Sequence, residues 1–216
     1  MAIGAGWTDG AWVDAGWVSG AWAQSGSTVV ACSSATGTLQ ESNDDTGNAY
    51  DLGPTRDRFG QYWAAGSTLK PATVSGACFR LRKIGTPTGT IKLIVENSDT
   101  EEANPADAEG TEYDLSGIAS DAGGTDYFFD LGETFVVGSA ALYVALEVNG
   151  TFDGSNYITV TGGTGNSYDG TNSTATGVTF PSTVVATTAD TWFKVYGSGS
   201  NTSNTTAISV GLTLSL

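Results

Sequence analysis

Phe79-Arg80-Leu81-Arg82-Lys83-Ile84-Gly85-Thr86-Pro87-Thr88-Gly89-Thr90-Ile91-Lys92-Leu93-Ile94-Val95 is the stretch whose reading decides the fold. Phe79 and Leu81 share one phase, Arg80 and Arg82 the other; further on, Ile91, Leu93 and Val95 alternate against Lys92 and Ile94. Period two is the signature of a half-buried strand, because successive side chains on a strand point to opposite faces. Between the two runs, Gly85, Pro87 and Gly89 punctuate a turn.

The same pattern recurs outward in both directions. Strands are expected at Thr28–Ser33, Arg58–Ala64, Val74–Ile84, Thr90–Asn97, Tyr127–Val137, Ala141–Val148, Tyr157–Thr161 and Thr191–Tyr196. Leu142, Val144 and Leu146 oppose Tyr143, Ala145 and Glu147 in the sixth of these. About eight short strands with turn clusters between them suit two packed antiparallel sheets. The 30 Gly of the chain leave little room for a long helix. The expected fold is all-β, a jelly-roll-like sandwich with an extended N-terminal arm. Residues 98–124 and 162–176, acidic or rich in Gly, Thr, Asn and Ser, read as surface loops.

The two ends read differently from the middle, which divides the chain into an arm at 1–26, a sandwich at 27–197, and a linker with a final strand at 198–216. Residues 5–24 repeat a ten-residue frame, Ala-Gly-Trp-x-x-Gly-Ala-Trp-x-x, so that Trp7, Trp12, Trp17 and Trp22 recur every fifth residue. On a strand that odd spacing sends Trp7 and Trp17 to one side and Trp12 and Trp22 to the other; on a helix no single apolar stripe forms. The segment reads as an adhesive arm whose Trp side chains fill cavities on a neighbouring subunit, the competing reading being an edge strand on its own domain. After the Gly- and Ser-rich 197–204, Ile208, Val210, Leu212, Leu214 and Leu216 lie in one phase. That strand completes the home sandwich or adds to the sheet edge of a neighbour.

Charge narrows the function. The chain carries 23 acidic and 8 basic residues, a net −15, which argues against nucleic acid as a partner because phosphate neutralisation needs Lys and Arg. All the basic residues except Lys194 fall within 56–92. Arg56, Arg58, Arg80, Arg82 and Lys83 could form a basic strip for an acidic partner, or could pair internally with acids such as Glu96, Asp107, Glu109, Glu112 and Asp114; runs of charge are usually locally balanced. No segment approaches the length of apolar chain that spans a bilayer, and Met1–Trp7 lacks the basic and apolar regions of a signal peptide. Synthesis in a host cytoplasm is therefore expected, and Cys32 and Cys78 are expected as two buried free thiols.

Enzyme chemistry finds little footing. With no His at all, a Ser-His-Asp triad and any His-bearing metal site are excluded. No phosphate-binding loop or dinucleotide fingerprint occurs. A carboxylate pair of glycosidase type stays formally open, since sequence cannot place two acids in space. No cofactor is expected; the oxygen-rich Asn43-Asp44-Asp45, Asp51 and Asp153-Gly154-Ser155-Asn156 are the places where calcium could stiffen a loop. Tyr50, Tyr62, Trp63, Tyr157, Tyr168 and Trp192 are available to contact sugar rings, although Trp63 and Trp192 sit in strand patterns where core packing is commoner.

Residues 59–97, with Phe59-Gly60-Gln61-Tyr62-Trp63 and the run from Leu81 to Leu93, resemble the opening of a jelly-roll module found in phage structural proteins and in secreted bacterial carbohydrate-binding or anchoring proteins. Phe128-Phe129-Asp130-Leu131 and Ala141–Leu146 fit its second half, so the resemblance spans about residues 55–197. The Trp repeat resembles N-terminal segments of small phage particle proteins. The resemblance implies fold more than function and carries over no catalytic residue. It implies a non-enzymatic virion protein on the outer surface of a bacteriophage particle: a capsid decoration or cement protein, homo-oligomeric, contacting the major capsid protein or other virion subunits. The alternative is a receptor-binding tail fibre or head spike that takes host-surface glycan; a bacterial surface adhesin is a third.

Overall fold

A computed structural model describes residues 27–44, 46–54, 56–97, 106–163 and 190–198, together with the strand at 173–177. The Trp7, Trp12, Trp17 and Trp22 arm and the Ile208, Val210, Leu212 and Leu214 strand lie outside the described residues.

The described chain is all β. Its strands are β1 Val30–Ala31, β2 Thr38–Asn43, β3 Asn48–Leu52, β4 Arg58–Trp63, β5 Thr73–Ile84, β6 Thr88–Glu96, β7 Ala108–Glu109, β8 Tyr113–Asp114, β9 Thr125–Val136, β10 Leu142–Thr151, β11 Tyr157–Gly162, β12 Ser173–Gly177 and β13 Phe193–Gly197. They form two packed antiparallel sheets. The larger runs β1-β9-β5-β11-β3, and the smaller β12-β4-β10-β6-β7, with β8 also on β6. The long β5 is shared: its far edge pairs β13 over Gly76–Phe79 and β11 over Leu81–Ile84. β13 in turn carries β2.

Side-chain phase explains the packing. Phe79 and Leu81 of β5, Ile91, Leu93 and Val95 of β6, and Leu142, Val144 and Leu146 of β10 all point between the sheets and are inaccessible to solvent. Trp63 joins them, its ring edge-on to Phe193 at 5.3 Å between centroids. Burying side chains of this size contributes about 1.5–3 kcal/mol each. The Gly85–Pro87 turn is an arch: β5 and β6, which it joins, belong to opposite sheets. Gly85 takes φ +64°, a left-handed conformation that glycine adopts without penalty, and the Thr86 amide donates to Asn156 Oδ1 at 2.8 Å, tying the arch to the β10–β11 connection.

Several expectations need correction. The first strand shortens to Val30–Ala31, because the chain turns into a 3-10 helix at Cys32–Ser34. β2 and β3 fall where no strand is expected. β2 reads Thr-Leu-Gln-Glu-Ser-Asn and buries Gln40 and Asn43 instead of an apolar face, so it has no hydrophobic period to detect. The 98–124 loop contains β7, β8 and a 3-10 turn at Leu115–Gly117, with Tyr113, Leu115 and Ile118 in the core. Cys32 and Cys78 are not free thiols: they form a disulfide with 5.7 Å between their Cα atoms. The pairing of β1 with β9 brings the turn after Ala31 over the middle of β5, where Cys78 faces outward beside Phe128.

Candidate functional site

The expected basic strip does not exist as one surface, because strand phase and strand partner send its members to different places. Arg58 begins β4 on the outer face of the smaller sheet and is fully buried there. It donates from Nε to Glu147 and from Nη1 to Glu96 Oε1 at 2.8 Å. Lys92, in the same row, meets Glu109 at 2.6 Å and Glu147 at 3.2 Å. The outward phase of this sheet also holds Ile94, Tyr143 and Ala145, a buried cluster flanked by Tyr62 and Ala106. Arg56 lies over the Phe59 ring and donates to the Asp51 carbonyl, while Lys83 donates to the Ser116 carbonyl at 2.8 Å. The internal pairing considered from the sequence holds for Arg58 with Glu96 and for Lys92 with Glu109.

Arg80 and Arg82 alone stay together, two residues apart on the outward phase of β5, on the outer face of the larger sheet. Arg80 is locked. Its guanidinium grips Asp126 of β9 by two hydrogen bonds, at 2.6 and 3.1 Å, and covers the Trp192 ring at 4.6 Å from the centroid. The hydrogen bond to Asp126 raises the Arg80 pKa further above its ordinary value. Lys194 covers the same ring at 5.3 Å. A planar cation over an indole face is held by the ring quadrupole as well as by its carboxylate.

This ridge separates two depressions. One, of about 510 Å³, lies over the disulfide and is lined by Ala31, Cys32, Ser33, Asp126, Lys194 and Tyr196 among others; burial raises the Tyr196 phenol. The other, of about 470 Å³, has a floor of Arg80, Arg82, Thr159 and Thr161, a wall at Ala122-Gly123 and an opposite wall at Thr46–Ala49. Register fixes that floor: Arg82 pairs Thr159, which pairs Asp51, and Thr161 pairs Ala49. Among the described residues the Arg82 side chain makes one hydrogen bond, to the Ala122 carbonyl at 3.4 Å. The groove presents guanidinium, hydroxyl and amide groups and no exposed ring. It can bind a small polar molecule, and its residues include none of the nucleophile–base pairs that acyl or phosphoryl transfer needs.

Two residues of the oxygen-rich segments weighed for calcium, Asp153 and Asn43, hydrogen-bond within the protein. Asp153 accepts from the Ser155 amide at 2.7 Å and from the Asn156 side chain, contacts that hold its carboxyl below the ordinary range, the Asn156 bond most of all. Asn43 donates to the Thr191 carbonyl at 2.9 Å. Asp45 lies outside the described residues. Among the described residues no three acidic, His or Cys side chains gather as a metal would require. Of the aromatic side chains considered for sugar stacking, Trp63 and Trp192 are buried, Tyr50 stacks on Phe59, and Tyr168 lies outside the described residues. Tyr62 and Tyr157 are half-buried.

Sequence reasoning missed the groove because two of its walls come from segments with no hydrophobic period; the adjacent Arg80 and Arg82 opposite core residues were the available signal. No protein-family model, no curated protein and no solved structure matches this chain.

Proposed function

We propose that this chain is a structural protein of a virus particle, a capsid decoration or cement protein whose sandwich sits on the outer surface while the Trp-rich arm anchors it to neighbouring subunits. The observation that carries the reading is the Cys32–Cys78 disulfide at the root of the arm. The chain entering the sandwich is fixed three times over six residues: by the Ser27–Tyr113 bridge, by the β1–β9 pairing and by the covalent bond to β5. A segment that bears load against another subunit needs a root of that kind. The arm contributes binding by burial and not by chemistry, each Trp being worth about 2–4 kcal/mol if it fills a hot spot.

The sandwich is read as a jelly roll. In support, the order β3-β11-β5-β9 faces β4-β10-β6-β7, the arrangement reached when strands laid down in sequence cross alternately between two sheets in paired Greek keys. The test is co-sedimentation of the full chain, and of a variant lacking residues 1–26, with particles stripped of this protein. Binding by the full chain alone, with better resistance of the particle to heat, sustains the reading; binding by neither form sinks it. The groove over Arg82 favours a second reading, a receptor-binding fibre or head spike that takes host-surface glycan. Saturable binding of host polysaccharide to the full chain is its test.

A further inference from the structure

We propose that the groove over Arg82 and Thr161 is specific for a carboxylate-bearing sugar, a uronate-type residue. The proposal rests on the glycan reading of this groove and is independent of the arm.

Arg82 is the reason. Of the buried or half-buried cations on the outward sheet faces, Arg58 is answered by Glu96 and Glu147, Lys92 by Glu109 and Glu147, and Arg80 by Asp126, while Lys194 lies over the Trp192 ring. Arg82 is half-buried on the groove floor and, among the described residues, meets only the Ala122 carbonyl. A guanidinium with open donors, held at the floor of a depression, matches a planar carboxylate by parallel hydrogen bonds. Its place is rigid, since β5 is hydrogen-bonded along both edges and Arg80 beside it is clamped by Asp126 and Trp192.

The remainder of the ligand follows from the lining. Thr159 and Thr161 on the floor and Thr46 and Asn48 on the wall line the groove with hydroxyl and amide groups. The volume of about 470 Å³ is in the range of small-ligand sites. Among the described residues no aromatic side chain lines the groove, and Trp192 close by is roofed by Arg80 and Lys194, so the lining offers no platform for the face-stacking that selects neutral sugars. The chain's charge of −15, with Asp51 beside Thr159 and Asp121 beside Ala122, repels dense polyanions. What the groove admits is one carboxylate on a hydroxyl-rich body, and screening by salt relieves the repulsion instead of weakening the contact.

Isothermal titration of the full chain with sodium glucuronate, glucose and sodium acetate tests this. Glucuronate is expected to bind at least roughly tenfold more tightly than either of the others, an increment in the range of a hydrogen bond to a charged group. Affinity is expected to hold or rise with added salt. Arg82→Gln is expected to remove the preference and Thr161→Val to weaken binding of glucuronate, while Lys83→Gln, off the groove, binds as the parent does; unchanged near-ultraviolet circular dichroism verifies each fold. Co-pelleting with polygalacturonate then separates a residue within a polymer from a free or terminal one. Equal binding of glucuronate and glucose overturns the acidic specificity and leaves the glycan reading standing; binding of neither overturns both. Preference for glucuronate that survives Arg82→Gln overturns the assignment to this groove.

Discussion

Arg58 of β4 and Glu147 of β10 stand directly opposite each other across an antiparallel pair, and the guanidinium is wholly buried while it bonds both Glu147 and Glu96. The pair occupies the outward phase of its sheet, where alternation alone would put it in water. Ion pairs out of solvent contribute little as intact units, but each partner depends on the other to offset its desolvation.

Arg58→Met is therefore expected to destabilise the fold by about 3–5 kcal/mol, because it takes the guanidinium from buried Glu96 and leaves Glu147 to Lys92. Combining it with Glu96→Gln is expected to recover part of that loss. Urea unfolding of the single and double variants measures both values, and a double variant less stable than the single would show that Glu96 is supported by other groups.

The disulfide predicts its own chemistry. Alkylation of the unfolded, unreduced chain is expected to add no label, and alkylation after reduction to add two, read by intact mass. Cys32→Ser with Cys78→Ser is expected to lower stability by about 2–4 kcal/mol, since the closed loop spans 46 residues. Label uptake without reduction would return the two residues to the free thiols expected from the sequence.

Gly60 is a packing requirement. A Cβ there would fall 2.1 Å from the Val144 carbonyl oxygen and 2.4 Å from Ala145 Cα. Backbone cannot yield as a flexible side chain does, so Gly60→Ala is expected to part β4 from β10 and to destabilise by about 1–3 kcal/mol or more. Gly123→Ala, where a Cβ would meet nothing within 4 Å, is the control and is expected to leave the melting temperature unchanged.

Acid and alkali should act on the Lys92–Glu109 pair with opposite signs. Burial pushes Glu109 up, but the hydrogen bond and charge of Lys92 outweigh it and hold the carboxyl below its ordinary 4.5. Its stabilisation is present above that value and is lost as pH falls through the lower, folded one. Burial likewise pulls Lys92 down, yet Glu109 and Glu147 raise it above 10.5, so its contribution is present below that value and lost as pH rises past the folded one. Asp57, raised by burial, opposes the acid loss in part. Unfolding midpoints followed across pH are expected to lose part of both slopes in Lys92→Met; slopes unchanged in that variant would dissociate the pair from the pH response.

The faces of β5, β6 and β10 were legible in the sequence because Phe79 and Leu81, Ile91, Leu93 and Val95, and Leu142, Val144 and Leu146 each keep an apolar period of two, and that period is a local property of one strand. The absence of His, the acidic balance and the Trp repeat were equally plain. What only the tertiary structure decided is which strand edges meet. The split edge of β5, the arch from β5 to β6, the union of Cys32 with Cys78, the burial of Arg58 and the groove over Arg82 all depend on residues far apart in the chain. A polar side chain such as Gln40 or Arg58 is buried or exposed according to what stands opposite it, and no pattern within its own strand carries that information.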